Sequence, residues 1–157
     1  IIYISMGLSL IFQLRAMMSN TFVGDIGYTI PLILIVSIWV NDTAAYLVGS
    51  LIGRRPLSSI SPNKTWEGTI AGILISVLLV TKIMGQYIPL SEKSIFLISI
   101  VASIAGTFGD LVESKLKRLA GVKDSGTMMP GHGGFLDRFD SILLATPFVW
   151  LLIQLVY

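Results

Sequence analysis

Cysteine is absent from this 157-residue chain, histidine occurs once, and charged side chains make up only 13% of it. Without cysteine, neither a disulfide nor a thiolate metal site can form. A zinc centre is disfavoured too, because zinc draws its ligands largely from cysteine and histidine. Soluble domains carry about 25% charged residues, so the shortage of charge excludes an ordinary water-soluble fold. Apolar residues fill the gap, at 54% of the chain with a mean hydropathy of +0.82. That is the composition of an integral membrane protein whose solvent is the lipid bilayer, and no nucleic-acid partner is expected.

A helix needs about 20 mainly apolar residues to cross a bilayer. Five stretches qualify: 1–14, 27–52, 68–88, 94–113 and 139–157. Hydrocarbon offers no partners to unpaired backbone groups, so each is predicted to be helical and the fold all-α, a polytopic membrane bundle. Residues 1–157 form one membrane-embedded region. The chain opens on Ile1 inside an apolar run, without an initiator Met and without the basic start or cleavage site of a signal peptide. It is expected to begin inside a longer protein that has further N-terminal helices.

Charge is unevenly placed. Arg54, Arg55 and Lys64 lie in the second connection, and Lys115, Lys117, Arg118, Lys123 and Arg138 in the fourth. If the helices alternate, these eight share one side and only Arg15, Lys82 and Lys93 fall on the other. The positive-inside rule makes the richer side cytoplasmic.

Half of the charged residues lie between Asp110 and Asp140. The end of the fourth span carries Asp110, Glu113, Ser114, Lys115, Lys117 and Arg118. At about 100° per residue, Asp110, Ser114 and Lys117 share one stripe, with Lys115 pointing away. Gly121 is expected to break the helix. Three glycines then surround His132, namely Gly131, Gly133 and Gly134, and such loops let backbone N–H groups converge on an anion. His132 suits a phosphate contact or a loop-fixing hydrogen bond. Asp137 and Asp140 stand three residues apart at the start of the last helix, where Asp137 also suits an N-cap. Together with Asp110 they could hold a hard cation such as Mg²⁺, which takes a few carboxylates and keeps phosphates and water.

Two further places stand out. Asn41-Asp42 falls near the middle of the second span, where an Asp costs about 2.5–3.5 kcal/mol on insertion scales. Asp42 must therefore face a polar cavity or a partner. Ser61-Pro62 signals a turn ahead of Lys64, Trp66 and Glu67, and Gly68 with Gly72 makes a small-xxx-small pair for close helix packing.

The run Ser114-Lys115-Leu116-Lys117-Arg118, then Lys123-Asp124-Ser125-Gly126, then Pro130-Gly131-His132-Gly133-Gly134-Phe135-Leu136-Asp137-Arg138-Phe139-Asp140 closely resembles the motif of the phosphatidate cytidylyltransferase (CDP-diacylglycerol synthase) family. Asp42-Thr43-Ala44-Ala45-Tyr46 and Ser61 to Gly68 resemble two upstream blocks of that family. Met129 departs from its pattern, replacing one apolar side chain by another. The resemblance implies transfer of CMP from CTP to phosphatidic acid, giving CDP-diacylglycerol and pyrophosphate, in a bacterial inner membrane with the site facing the cytoplasm. It also implies a homodimer and Mg²⁺, optionally accompanied by K⁺. Catalytic roles then fall to Asp110, Lys117, Asp137 and Asp140, with the three aspartates on the metal. Lys64, Ser114, Arg118, Lys123, His132, Gly133, Gly134 and Arg138 would meet substrate phosphates, and Asp42 would orient a basic residue or a second cation.

Two rival classes share these features. A CTP-dependent polyprenol or phytol kinase, or a CDP-archaeol synthase, would differ in its lipid acceptor. A cation transporter or channel would use Asp42, Asp110, Asp137 and Asp140 as an ion path, but the adjoining basic cluster would repel its cargo.

Overall fold

The computed structural model describes residues 2–17, 27–58, 60–122, 125–126, 134 and 136–156, the side chains of Ile2 and Arg138 excepted. Five α-helices make up this part: α1 (Ile2–Met17), α2 (Thr29–Ile52), α3 (Trp66–Tyr87), α4 (Glu92–Leu119) and α5 (Leu136–Val156). The all-α expectation holds. Four of them, α2 to α5, are long and apolar enough to span a bilayer. The first predicted span, 1–14, is helical as well, within α1.

Close helix approach is built on glycine. A Cβ on Gly68 would lie 2.6 Å from Ala45 O, and one on Gly72 2.7 Å from Asn41 O, so the expected glycine pair is the seam between α3 and α2. Gly109 does the same between α4 and α5, where a Cβ would meet Asp140 O at 2.8 Å. On α1, a Cβ at Gly7 would lie 2.8 Å from Leu143 O of α5. That carbonyl has lost its usual helical donor, because residue 147 is a proline without an N–H.

Ile33, Leu34, Ile38, Val80, Ile95, Ile98, Ala102, Ile142, Ala145 and Val149 form the core. Large apolar side chains such as Phe12, Leu74, Leu78, Phe148 and Leu155 face outward, as in a bundle solvated by lipid. A buried polar seam runs through the middle. Ser76 Oγ donates to Ser37 O at 2.7 Å, Ser103 Oγ to Ser76 Oγ at 3.1 Å, and Thr107 Oγ1 to Ser103 O at 2.9 Å. Within hydrocarbon such groups must find one another, and here they tie α2, α3 and α4 together.

The helices alternate. Pairing of Pro56 with Thr65 joins the end of α2 to the start of α3, and Lys117 with Asp137 joins the end of α4 to the start of α5. Lys64 with Asp110 connects the two junctions, so all four helix ends meet on one side of the bundle. α4 runs to Leu119, six residues beyond the predicted span, because its polar last turns stay helical after leaving the apolar layer. It stops where Gly121 takes a φ of +71°, the left-handed conformation that glycine adopts without penalty.

Candidate active site

The connection between α2 and α3 is a short folded arm. Ser61 O accepts from Lys64 N at 3.1 Å, closing the turn that Pro62 predicts, and Leu57 N and Trp66 N donate to Lys64 O and Arg55 O. Thr65 caps α3 by accepting from Gly68 N at 3.2 Å. Glu67, in the first turn of α3, accepts the backbone N–H groups of Arg54 at 3.1 Å and Arg55 at 3.2 Å. The arm is thus fastened at both ends, and it carries Lys64 onto Asp110 of α4 as an ion pair.

Beneath that pair lies a polar cavity of about 470 Å³ between α2, α3, α4 and the arm. Asp42 opens into it, as its cost in a membrane helix requires, and Asn41, Tyr46, Thr69 and Thr107 add polar groups to its wall. Asp42, Lys64 and Asp110 lie within one another's electrostatic reach. Asn41 Nδ2 donates both to Asp42 Oδ1 and to Thr107 Oγ1, each at 3.2 Å. The Asp42 carboxylate can only accept, so the amide nitrogen must face it, and the carboxylate is held against α4.

A second cluster forms where α4 meets α5. Lys117 Nζ bonds Asp137 Oδ1 at 2.6 Å and lies 3.6 Å from Glu113 Oε1. Asp137 Oδ2 accepts from Ser125 N and Ser125 Oγ at 2.9 Å each and from Gly134 N at 2.6 Å. Partial burial works against its charge, but the bond from Lys117 and the donors of Ser125 and Gly134 outweigh it. The Asp137 carboxyl is held well below the usual carboxylate range. Instead of capping α5 it reaches back and fastens the preceding loop. Asp140 is buried, and its Oδ1 accepts from Ser141 N at 2.5 Å and Ser141 Oγ at 3.2 Å.

The predicted residues therefore fall into two groups. Asp42, Lys64 and Asp110 share the polar cavity, with Ser114 Oγ donating to Asp110 Oδ1 at 3.3 Å. Lys117, Asp137, Asp140 and Gly134 share the α4–α5 junction. The stripe expected of Asp110, Ser114 and Lys117 divides between them, since Lys117 turns to α5. Arg118 is exposed at the end of α4. Lys123, His132 and Gly133 lie outside the described residues, as does the Arg138 side chain.

Among the described residues no three His, Asp or Glu side chains are arranged to hold an ion. Asp110 is engaged by Lys64, and Asp137 by Lys117 and three further donors, so these two do not fit a shared cation as placed. Asp140 fits better, because Glu113 beside it is fully buried and neither of its carboxyl oxygens has a hydrogen-bond partner. Sequence reasoning gave Glu113 no role. The signal was its spacing of four from Lys117 on the same helix.

A sequence model of the Cytidylyltransferase family matches residues 1–156. The chain belongs to this family. Among curated relatives, a Bacillus subtilis protein named phosphatidate cytidylyltransferase is 49% identical over 123 residues, covering 76% of this chain and 45% of its own length. One of the same name from Staphylococcus epidermidis is 48% identical over 119 residues, 74% of this chain and 45% of its own. The chloroplastic phosphatidate cytidylyltransferase 4 of Arabidopsis thaliana is 46% identical over 120 residues, 75% and 30% respectively. This cytidylyltransferase-family chain thus spans less than half the length of these relatives.

Proposed function

We propose that this chain is the catalytic part of a phosphatidate cytidylyltransferase, transferring CMP from CTP to phosphatidic acid. The observation that carries this is the meeting of two lysine–carboxylate pairs, Lys64–Asp110 and Lys117–Asp137, at helix ends on one side of a membrane bundle. The relatives' names supply the chemistry.

Phosphatidate already bears a nucleophilic phosphate oxygen at neutral pH, so no strong general base is needed. That oxygen attacks the α-phosphorus of CTP, a new P–O bond forms, and the bond to the bridging oxygen breaks to release pyrophosphate. The obstacle is repulsion between two polyanions, which positioning and fixed charge relieve. Lys64 is presented by the fastened arm to a nucleotide in the polar cavity, and Lys117 by α4 to the lipid phosphate. Asp110 and Asp137 keep each ammonium extended in place until a phosphate competes for it. Arg118, at the end of α4, adds positive charge nearby, and the family motif assigns Lys123 and Arg138 to the phosphates as well. Mg²⁺, when bound, neutralises charge on the nucleotide phosphates and the departing pyrophosphate. Asp140 with Glu113 are the residues that fit it, and K⁺ is an optional companion.

The basic residues at the meeting point favour its placement on the cytoplasmic face of a bacterial inner membrane. A homodimer is part of the same proposal.

CTP labelled either in cytosine or at the γ-phosphate tests it, using the intact protein and phosphatidic acid in detergent micelles. Cytosine label is expected in the lipid. Entry of the γ-phosphate alone would instead establish a lipid kinase.

A further inference from the structure

A second cavity, of about 340 Å³, lies between α1 and α5 and shares no lining residue with the polar one. Ile4 and Leu8 of α1 and Phe139 and Leu143 of α5 form its walls, and Ser125, Gly126 and Gly134 close the remaining end. We infer that this cavity seats an acyl chain of the lipid acceptor, with the headgroup directed to Ser125 and Gly134, the residues that Asp137 holds. This assignment rests on the lipid-nucleotidyltransferase function proposed above.

Three features select that occupant. The side walls are apolar, and apolar cavities do not hold water but do take up apolar molecules. Ile4 and Leu8 are also partly exposed, at 38% and 39%, so the cavity is not sealed on its α1 side. The third feature is the closed end. Ser125 and Gly134 are the residues whose donors clasp Asp137, and Asp137 is bonded to Lys117. A molecule with its apolar body between α1 and α5 therefore has its head beside Lys117. An amphiphile with an anionic head fits both ends, whereas a free nucleotide does not fit the apolar walls. The two cavities then divide the substrates, with the nucleotide in the polar one and the lipid in the apolar one.

Filling the cavity tests this. In Leu8→Trp and Ile4→Trp, the ratio of kcat/KM for dioctanoyl phosphatidate to that for dioleoyl phosphatidate is expected to rise about tenfold or more, since one methylene in an apolar pocket is worth about 10–200-fold. Phe12→Trp, on the same helix but outside the cavity lining, should keep the parent ratio. An unchanged ratio in both cavity variants, each eluting as a folded species, would overturn the assignment. Photolabelling with phosphatidate carrying a diazirine in its acyl chain gives an answer without turnover. Label is expected on the segment containing Ile4 and Leu8, and label spread evenly over all lipid-facing helices would mean bulk lipid contact and defeat the proposal. If the parent protein is labelled at α1 but transfers no CMP to any lipid, the proposed function fails while the lipid seat stands.

Discussion

Asn41 of α2 bonds Thr107 of α4 through its amide nitrogen, at 3.2 Å, three residues before Asp110 on that helix. The same nitrogen holds Asp42, so one buried side chain sets the spacing of two carboxylates on different helices. Asn41→Ala leaves Thr107 and Asp42 without this donor, and loss of a buried hydrogen-bond partner costs about 1–3 kcal/mol. A lower unfolding midpoint in detergent is expected, together with a raised KM for CTP. A KM equal to the parent's would show that Asn41 serves folding alone.

Lys64 and Asp110 are each more than a quarter exposed, at 27% and 29%, and ion pairs this open contribute at most about 1 kcal/mol to stability. Lys64→Met should therefore unfold within a few degrees of the parent. Removal of a charge aimed at the reacting phosphates is worth about 10²–10³ in rate, and a fall of that size in CMP transfer is the expected result. Near-parent turnover in Lys64→Met would remove this lysine from the chemistry.

Two glycines of α3 make a controlled contrast. A Cβ on Gly72 would meet Asn41 O and the Ala45 Cβ at 2.7 and 2.8 Å, whereas one on Gly85 would meet only the Glu92 side chain at 3.4 Å. Gly72→Ala must push α2 and α3 apart, and overpacking of this kind costs about 1–3 kcal/mol. Gly85→Ala should be neutral or gain up to about 1 kcal/mol from helix propensity. Thermal unfolding of the two variants in one detergent checks the ordering.

The lowered pKa of Asp137 has a definite sign. Its bonds contribute stability in full above the ordinary aspartate value of about 3.9, and that contribution is lost as pH falls towards the value in the folded protein. The destabilisation caused by Asp137→Asn should accordingly be constant from about pH 5 to pH 6 and shrink as the solution becomes more acidic. Denaturant unfolding of both proteins across that range measures it. A cost that changes near neutrality would mean that another group titrates with the loop.

Glu113→Gln replaces the buried carboxyl that faces Asp140 by an amide of the same shape. The Mg²⁺ concentration giving half-maximal CMP transfer is expected to rise about 10–100-fold, the scale typical of altered metal surroundings. Mn²⁺ binding followed by electron paramagnetic resonance supplies a reading independent of turnover. Unaltered Mn²⁺ affinity would confine Glu113 to a packing role.

Hydropathy made the helices legible, because only a helix satisfies its backbone in lipid, and small residues at a spacing of four marked the α2–α3 seam. The ends of the helices were less legible. Hydropathy reports where the apolar layer stops, and α4 continues past it as a polar helix to Leu119. Asp42 was found from its cost alone, since an acid in mid-span needs a polar space. Its neighbours in that space, Lys64 and Asp110, come from separate elements, and their pairing depends on how the arm folds over α4. The division of the aspartates was hidden for the same reason. Periodicity puts Asp110 and Lys117 on one stripe, but Asp110 is drawn to Lys64 of the arm and Lys117 to Asp137 of α5. Thr107 escaped notice because a threonine in an apolar helix reads as ordinary until its partner on α2 is seen.

Pro147 leaves Leu143 O without its helical donor in a layer that has no water to replace it, and Gly7 is the residue that lies over that carbonyl. A bare backbone carbonyl in hydrocarbon costs several kcal/mol, and the Cα–H of a glycine can approach closely enough to offset part of that. The first helix is therefore a lid over a scar in the last one. Lipid tails, having no dipole, could not take its place.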